Sequence, residues 1–362
     1  MSFEKLEDRC MKILSHDTIR RICLEILEAV NTPREEAEIV ADSLVKADLR
    51  GLNSHGISRL PSYVTRIENG TIVPGAPFAV VRETPSTALI DGECGFGQVI
   101  GVKAMRLAIE KARVSGTGAV SVRNTNHFGM SAYYALKALE KDLIGIVTCN
   151  TGPYVVPWGG RIRMLGTNPI AIAIPSGQEI PFVLDMATSA VSLGKIEQAA
   201  KEKKPIPEGW AVNQKGEVTT NAQDALHGAL LPFGGPKGFG LSLIIDILSG
   251  ALSGAACLTH TRSLYPENEK SNMGQFYLAL NVDSFIPVQE FKARVDCVIS
   301  ELKSSPPGFG FHEILIPGEI EYRTEKKRLK EGIPIDDETM RAMESLCKRL
   351  KVNLQLLLSK SN

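Results

Sequence analysis

Asn124-Thr125-Asn126-His127-Phe128-Gly129 is the stretch on which the reading of this chain turns. It follows an apolar, strand-like run, Ala119-Val120-Ser121-Val122, and leads into a helical pattern that starts near Met130. A histidine at that junction sits at the carboxyl end of a strand, where open α/β sheets place their ligands. The Asn, Thr and Gly around it suit a turn whose backbone approaches something closely. Asn53-Ser54-His55-Gly56, at the end of the second N-terminal helix, is similar in kind. Two histidines bracketed by small polar residues and glycine point to proton transfer near neutral pH, and so to an enzyme.

Composition agrees with that. The chain has 362 residues, 43% hydrophobic and 23% charged, enough for a sizeable core and two lobes of an ordinary globular protein. Lys plus Arg equals Asp plus Glu at 41 each, so no net field favours nucleic acid or an anionic membrane. No basic stretch interleaved with aromatics offsets that balance locally. The seven cysteines (10, 23, 94, 149, 257, 297, 347) contain no C-x-x-C pair, which argues against a disulfide framework and a structural zinc site. Met1 to Lys12 carries acids and no apolar signal core, so a cytosolic protein is expected. The longest apolar run, Gly240 to Leu258, contains Asp246 and many small residues; it reads as a buried core helix, not a membrane span.

Taken outward from His127, the pattern alternates. A helical stripe covers His16 to Val30, and Thr32 as N-cap with Pro33 at the first position opens a second helix to about Leu49. Strands are expected at Phe78–Arg82 and Thr87–Ile90, and a helix over Val99 to Val114. The strand before His127, the helix Ser131 to Lys141 and the apolar strand Leu143 to Thr148 suggest a crossover unit. Further strands are expected at Ile170–Ile174, Phe182–Leu184 and Gln275–Asn281, and a short hairpin over Gly209 to Glu217. A helix from Val288 to Leu302, a strand and turn over Ile314 to Glu319, and an amphipathic helix after Asp336 close the chain.

Several residues carry candidate chemistry, each with a plainer alternative. If the segment after His55 is helical, His55 and Arg59 share a face. Such a pair suits a 2-oxo acid: the guanidinium grips the carboxylate and an imidazolium protonates the carbonyl oxygen. The plainer reading is a helix end with a capping histidine and a solvated arginine. His127 can likewise be a histidine that merely bonds a neighbouring loop. No carboxylate or third histidine lies at ligand spacing, so no metal is expected. The dinucleotide fingerprint G-x-G-x-x-G is absent; Gly92 to Gly97 has the spacing reversed. Gly235-Pro236-Lys237-Gly238 can hold phosphate at a helix start, or simply pack against the core. Asp185, after an apolar strand, can bind ribose hydroxyls or cap the next helix.

In order along the chain, Leu52 to Gly56, Asn124 to Gly129, Gly166 to Pro169, Asp185 to Thr188, Lys237 to Gly240 and Pro317-Gly318-Glu319 bring a resemblance. The sequence resembles the malate/L-lactate dehydrogenase family, which also includes sulfolactate and ureidoglycolate dehydrogenases, diketogulonate reductase and cyclic imine reductases. The resemblance implies an α/β, non-Rossmann NAD(P)-binding oxidoreductase fold with a mixed sheet, which accounts for the missing fingerprint. It implies an N-terminal helical segment (1–75) joined by a C-terminal helical arm (288–362), around a cofactor-binding mixed α/β domain (76–287). It implies a homodimer with its active site near the subunit interface. His55 and His127 then line the active site, with Ser54 and Arg59 on the substrate. Thr151, Pro153, Asp185, Met186, Ala187, Lys237, Gly238, Gly318 and Glu319 fall where the family binds NAD or NADP. Phe239 stands where a tyrosine is often found. The expected reaction is reduction of a 2-oxo acid, oxaloacetate to malate first and pyruvate to lactate next, with histidine as the acid. A second substrate carboxylate calls for another cation, from Arg50, Arg123, Arg161 or Arg163. The rivals are ureidoglycolate, diketogulonate or cyclic imine chemistry on the same scaffold, and a non-catalytic dimeric nucleotide-binding module.

Overall fold

The computed structural model describes residues 11–359; the acidic opening stretch up to residue 10, with Cys10, lies outside them. In chain order the described elements begin with β1 (Lys12–Leu14), α1 (His16–Ala29), α2 (Arg34–Leu49) and α3 (Leu60–Glu68). Then come β2 (Ala79–Glu83), β3 (Thr87–Asp91), α4 (Gly97–Ser115), β4 (Thr117–Thr125), α5 (Ala132–Leu139), β5 (Leu143–Cys149), β6 (Ile170–Ile174) and β7 (Phe182–Met186). A middle region holds α6 (Leu193–Lys201), β8 (Ala211–Val212), β9 (Val218–Thr219), α7 (Ala222–His227), β10 (Ala229–Leu230) and α8 (Pro236–Asp246). Last are β11 (Met273–Asn281), α9 (Val288–Ser304), α10 (Glu319–Glu331), β12 (Ile333–Ile335), α11 (Asp337–Leu350) and α12 (Leu354–Ser359).

Seven strands form one mixed sheet in the order β2-β3-β4-β11-β5-β6-β7. Only β3 and β4 pair in parallel, joined by α4; every other neighbouring pair is antiparallel. This is a mixed α/β fold without the Rossmann strand order, as expected. The expected crossover from the strand before His127 through α5 to β5 exists, but its two strands are not neighbours. β11, from far along the chain, inserts between them and pairs with both, which no local pattern around residue 130 encodes.

Among the described residues, three larger apolar cores support the sheet and its flanks, beside a small one of Val156, Val212 and Ala229. One gathers α1, α2 and α3 with β1, β12, α11 and α12; a second packs α4 and α5 on the sheet; a third lies among residues 155–230, under α6 and α7. α9 runs elsewhere: Lys292 pairs with Asp142 at the start of β5, and Asp296 accepts from the backbone N–H groups of Gly177, Gln178 and Glu179.

Local differences have local causes. The second helix begins at Arg34 with Pro33 as its cap, and Thr32 is buried with its hydroxyl unbonded. No strand forms over Ile314 to Glu319, because the Glu319 carboxylate turns back onto the Ile316 N–H and opens α10. The run Gly240 to Leu258 is not a continuous buried helix. α8 ends at Asp246 and a single π-helical turn, Ile247–Ala251, follows. Its inner face is made of small residues that let β11 approach: a Cβ on Gly274 would meet the Ser249 carbonyl. Its outer face leaves Ile244 at 55%, Ile247 at 50% and Leu252 at 56% exposed in the single chain.

Candidate active site

The end of β4 brings His127 into a tightly bonded corner. Asn126, fully buried, donates to the Cys94 and Gly95 carbonyls at 2.8 and 3.0 Å. Its side-chain oxygen accepts from Arg66 at 3.0 Å. The reversed-spacing glycine turn before α4 therefore serves the His127 loop. A Cβ on Gly97 would lie 2.2 Å from the Asn126 carbonyl oxygen and 2.5 Å from that of His127, so only glycine allows the approach.

Arg66, on α3, is fully buried and forms no salt bridge among the described residues, with the longer-range charge of Glu267 to offset its burial. Its guanidinium donates instead to the carbonyls of Leu264, Pro266 and Glu269 as well as to Asn126. One cation thus ties the 264–269 loop to the residue next to His127. That loop carries Tyr265, whose hydroxyl lies 3.2 Å from the Arg59 guanidinium and 3.1 Å from the Ser62 hydroxyl.

His55 arrives from a different direction, on two successive 3-10 turns, Asn53–His55 and Ile57–Arg59. Asp48 on α2 accepts from the Ile57 N–H at 2.8 Å and fills the space beside Gly56. Arg328 of α10 donates to the Asn53 side chain at 2.7 Å and to the Asp48 carbonyl. The two imidazoles face one another, ring centres 5.8 Å apart and planes within 19°. Ser54 Oγ lies 2.9 Å from His55 Nδ1, and Arg59 Nε donates to the Ser54 carbonyl at 2.5 Å. Arg59 has no carboxylate partner among the described residues. His55 and Arg59 thus lie on tandem 3-10 turns and not on one α-helix, close enough for the Arg59 charge to act on the His55 ring.

Burial favours the neutral form of both rings. Desolvation, then the Arg59 charge, pulls His55 down to about 4. Desolvation also holds His127 well below the ordinary range, helped by His55, Arg59 and Arg66. Tyr63, on α3, bonds His127 Nδ1 at 2.7 Å and accepts from Gln98 Nε2 at 2.8 Å. Burial pushes the Tyr63 phenol up, so it stays protonated. Sequence reasoning missed Tyr63, Arg66 and Gln98. The first two were recoverable, since 59, 63 and 66 share a helical face once Arg59 is nominated; nothing marks Gln98.

The residues expected at the cofactor form two connected groups. Asp185 and Gly318 line a cavity of about 320 Å³ together with Arg50, Leu52, Met130 and Pro317. A second cavity, of about 330 Å³, adjoins it through Arg50, Val183 and Gly318. Asp185 caps a helix, but α5 and not the following one: it accepts from the Ala132 N–H at 2.8 Å, and burial raises it to about 6. From Asp185, Met186 and Ala187 the chain reaches Thr188, whose N–H bonds the Thr167 carbonyl at 2.8 Å. The Thr167 N–H in turn bonds Thr151 Oγ1 at 2.9 Å, two residues before Pro153. The Phe233 N–H bonds the Thr188 carbonyl, just ahead of the glycine turn that opens α8 with exposed Lys237 and buried Gly238. The Glu319 carboxylate is held by Lys303 and Arg323, and its N–H bonds the Ile316 carbonyl at 3.1 Å.

Of the four candidate second cations, three are engaged elsewhere. Arg50 pairs with Glu325, Arg123 pairs with Asp91, and Arg163 donates to the Leu226 and Gly228 carbonyls. Arg161 lies exposed beside Gly216. Among the described residues no group of three or more His, Cys, Asp or Glu side chains is placed to hold a metal, and no helix is long and apolar enough to cross a membrane.

A facing histidine pair, an arginine with no carboxylate partner among the described residues and a nearby groove suit an oxidoreductase of the kind that acts on 2-hydroxy acids with a nicotinamide cofactor. Residues 14–344 match the family model described as malate/L-lactate dehydrogenase, and the chain belongs to that family. It is 45% identical to L-sulfolactate dehydrogenase of Methanocaldococcus jannaschii over 95% of this chain and 98% of that protein. Against malate dehydrogenase of Pyrococcus abyssi it is 46% identical over 93% and 94%. The solved sulfolactate dehydrogenase structure from Methanocaldococcus jannaschii superposes with a TM-score of 0.91 at 44% identity, covering 95% of this chain and 99% of that one. The groove fits a nicotinamide cofactor in its own chemistry: apolar walls from Leu52, Met130 and Pro317, charged groups at Arg50, Asp185 and Glu321, and Gly318 packed so closely on Val183 that a Cβ would lie 2.7 Å from its carbonyl.

Proposed function

We propose that the chain reduces a 2-oxo acid to its 2-hydroxy acid and catalyses the reverse oxidation, with oxaloacetate and malate as the preferred pair. The observation that carries this is the facing pair of His55 and His127 beside Arg59, which has no carboxylate partner among the described residues. Arg59 with Ser54 holds the substrate carboxylate through charge-assisted hydrogen bonds. His127 is the proton donor and acceptor at the carbonyl oxygen, and His55 lines the opposite wall and orients it. A bound anion beside the imidazoles raises their proton affinity from the low values of the free protein, which readies the acid only when substrate is present.

The nicotinamide, when bound, supplies the hydride. Thr151, Pro153, Asp185, Met186, Ala187, Lys237, Gly238, Gly318 and Glu319 would hold the cofactor, with Lys237 and the start of α8 suited to phosphate. NAD is our preference over NADP, because a 2′-phosphate beside the Asp185 carboxylate meets like charge. The exposed apolar face of Ile244, Ile247 and Leu252 supports a homodimer. Sulfolactate is the second substrate reading, favoured by the name of the Methanocaldococcus relative; pyruvate, ureidoglycolate, diketogulonate and cyclic imines follow.

The test is the fall in NADH and NADPH absorbance with purified protein against a panel of 2-oxo acids and cyclic imines. Oxaloacetate leading the panel supports the malate assignment. An imine or sugar acid leading it overturns the substrate, and silence on every compound despite cofactor binding favours the non-catalytic module.

A further inference from the structure

The hydrogen-bond chain behind His127 has a direction. Gln98 Nε2 donates to the Tyr63 oxygen at 2.8 Å, so the Tyr63 hydroxyl hydrogen points at His127 Nδ1, 2.7 Å away. The Gly129 N–H also faces Nδ1, at 3.4 Å. Nδ1 must then be the bare nitrogen, and the neutral ring carries its proton on Nε2. In that form His127 offers a donor to the site and has no lone pair there to take a proton from a hydroxy acid.

Gln98 holds the means to reverse this. It is fully buried on α4, and its Oε1 atom has no hydrogen-bond partner. A buried amide oxygen left unbonded is costly, and structures rarely keep one without a reason. Turning the amide by half a rotation exchanges its two ends: Oε1 faces Tyr63 and Nε2 takes the unbonded position, so each orientation leaves one end unbonded and neither is locked in by a second bond. Tyr63 then donates to Gln98 and accepts from an N–H on His127 Nδ1. We propose that Gln98 is an amide switch which, through Tyr63, selects the ring nitrogen of His127 that carries the proton.

With the amide turned, protonated His127 has N–H on both nitrogens. On reduction the Nε2–H bond breaks, the new O–H bond forms on the substrate oxygen as hydride reaches C2, and the ring is left neutral with its proton on Nδ1. Oxidation runs the same transfer backward, from substrate hydroxyl to bare Nε2. Gln98 and Tyr63 act through His127 and are positioning residues. The groups facing His127 that also shape its titration are His55 and Arg59 from the 3-10 turns and Tyr63 and Arg66 from α3. This inference rests on the reading of His127 as the proton donor and acceptor.

The experiment is ¹⁵N spectroscopy of histidine-labelled protein across pH, with the His127 resonances identified by their loss in His127→Gln. The free protein is expected to show one neutral tautomer at pH 7, with the proton on Nε2. Gln98→Glu supplies a fixed acceptor to Tyr63 and should move the proton to Nδ1 and raise the titration midpoint by about one pH unit or more. Tyr63→Phe and Gln98→Met, which keep the test alive if a buried carboxylate blocks folding, should turn the single tautomer into a mixture. A resting proton on Nδ1, or a tautomer indifferent to these variants, overturns the switch. Turnover separates the two ideas. If His127→Ala abolishes activity while the tautomer ignores Gln98, the functional reading stands and the switch falls. If no 2-oxo acid is turned over, the functional reading falls, and with it the role assigned to the switch.

Discussion

The two histidine loops face each other across one site, yet they are built by opposite means. His127 follows a central strand and is fixed on several sides: Asn126 by two carbonyls and a buried arginine, the ring by Tyr63, the backbone by Gly97. His55 sits on short turns with Ser54 exposed, held from beneath by Asp48 and Arg328. A proton donor needs a fixed ring and tautomer, whereas a wall that admits substrate needs room to adjust. In the function proposed above, two similar-looking motifs divide the work, with chemistry at the rigid corner and binding at the looser one.

The sharpest way to break that division is to delete each ring. His127→Ala should lower kcat/KM by about 10²–10⁴-fold, the usual loss of a general acid–base. His55→Ala should cost about tenfold, mainly in KM. Steady-state kinetics in both directions check this, and the reverse order would exchange the roles.

Next comes the corner's anchor. Arg66→Met removes the donor shared by three loop carbonyls and Asn126, and should destabilise the fold by about 3 kcal/mol, read as a lower denaturant midpoint. Lysine should not rescue it, since a point charge cannot span that fork. A midpoint unchanged in Arg66→Met would mean the corner is held by the glycine turn alone.

Arg59→Gln probes the looser side. KM for the 2-oxo acid should rise by about 30-fold while the cofactor Kd stays put, as expected for loss of a charge-assisted carboxylate contact. A larger loss in kcat than in KM would place Arg59 with the chemistry instead.

The smallest effect sits under the His55 turns. Burial raises Asp48 to about 7, from an ordinary 3.8. A carboxyl raised on folding binds its proton more tightly in the folded state, so its contribution is complete below about pH 4 and is lost as pH rises through about 7. Asp48→Asn keeps an oxygen for the Ile57 N–H and cannot ionise. Its stability relative to the parent should therefore improve by about 2 kcal/mol between pH 5 and pH 8. Melting curves at the two pH values decide it; a constant difference would show that Asp48 does not titrate there.

Much of this was legible in the sequence, for a physical reason. Strand and helix periods, the turn residues and the charge balance are local properties, so the mixed α/β class, the helices flanking the site and both histidine loops could be read directly. The family motifs added the residues proposed to hold the cofactor, and the lack of a Rossmann fingerprint was informative because the strand order is indeed different. Tertiary structure alone decided how these pieces meet. β11 enters between β4 and β5 from more than a hundred residues away, and Arg66 finds its partners across a similar span. The glycine turn with the reversed spacing proves to be clearance for the His127 backbone. Which ring nitrogen of His127 is bare depends on Tyr63 and Gln98, from two other helices. A sequence states which groups a segment carries; only the packed chain determines which of them lose water together, and that loss sets the proton affinities and hydrogen-bond directions on which catalysis depends.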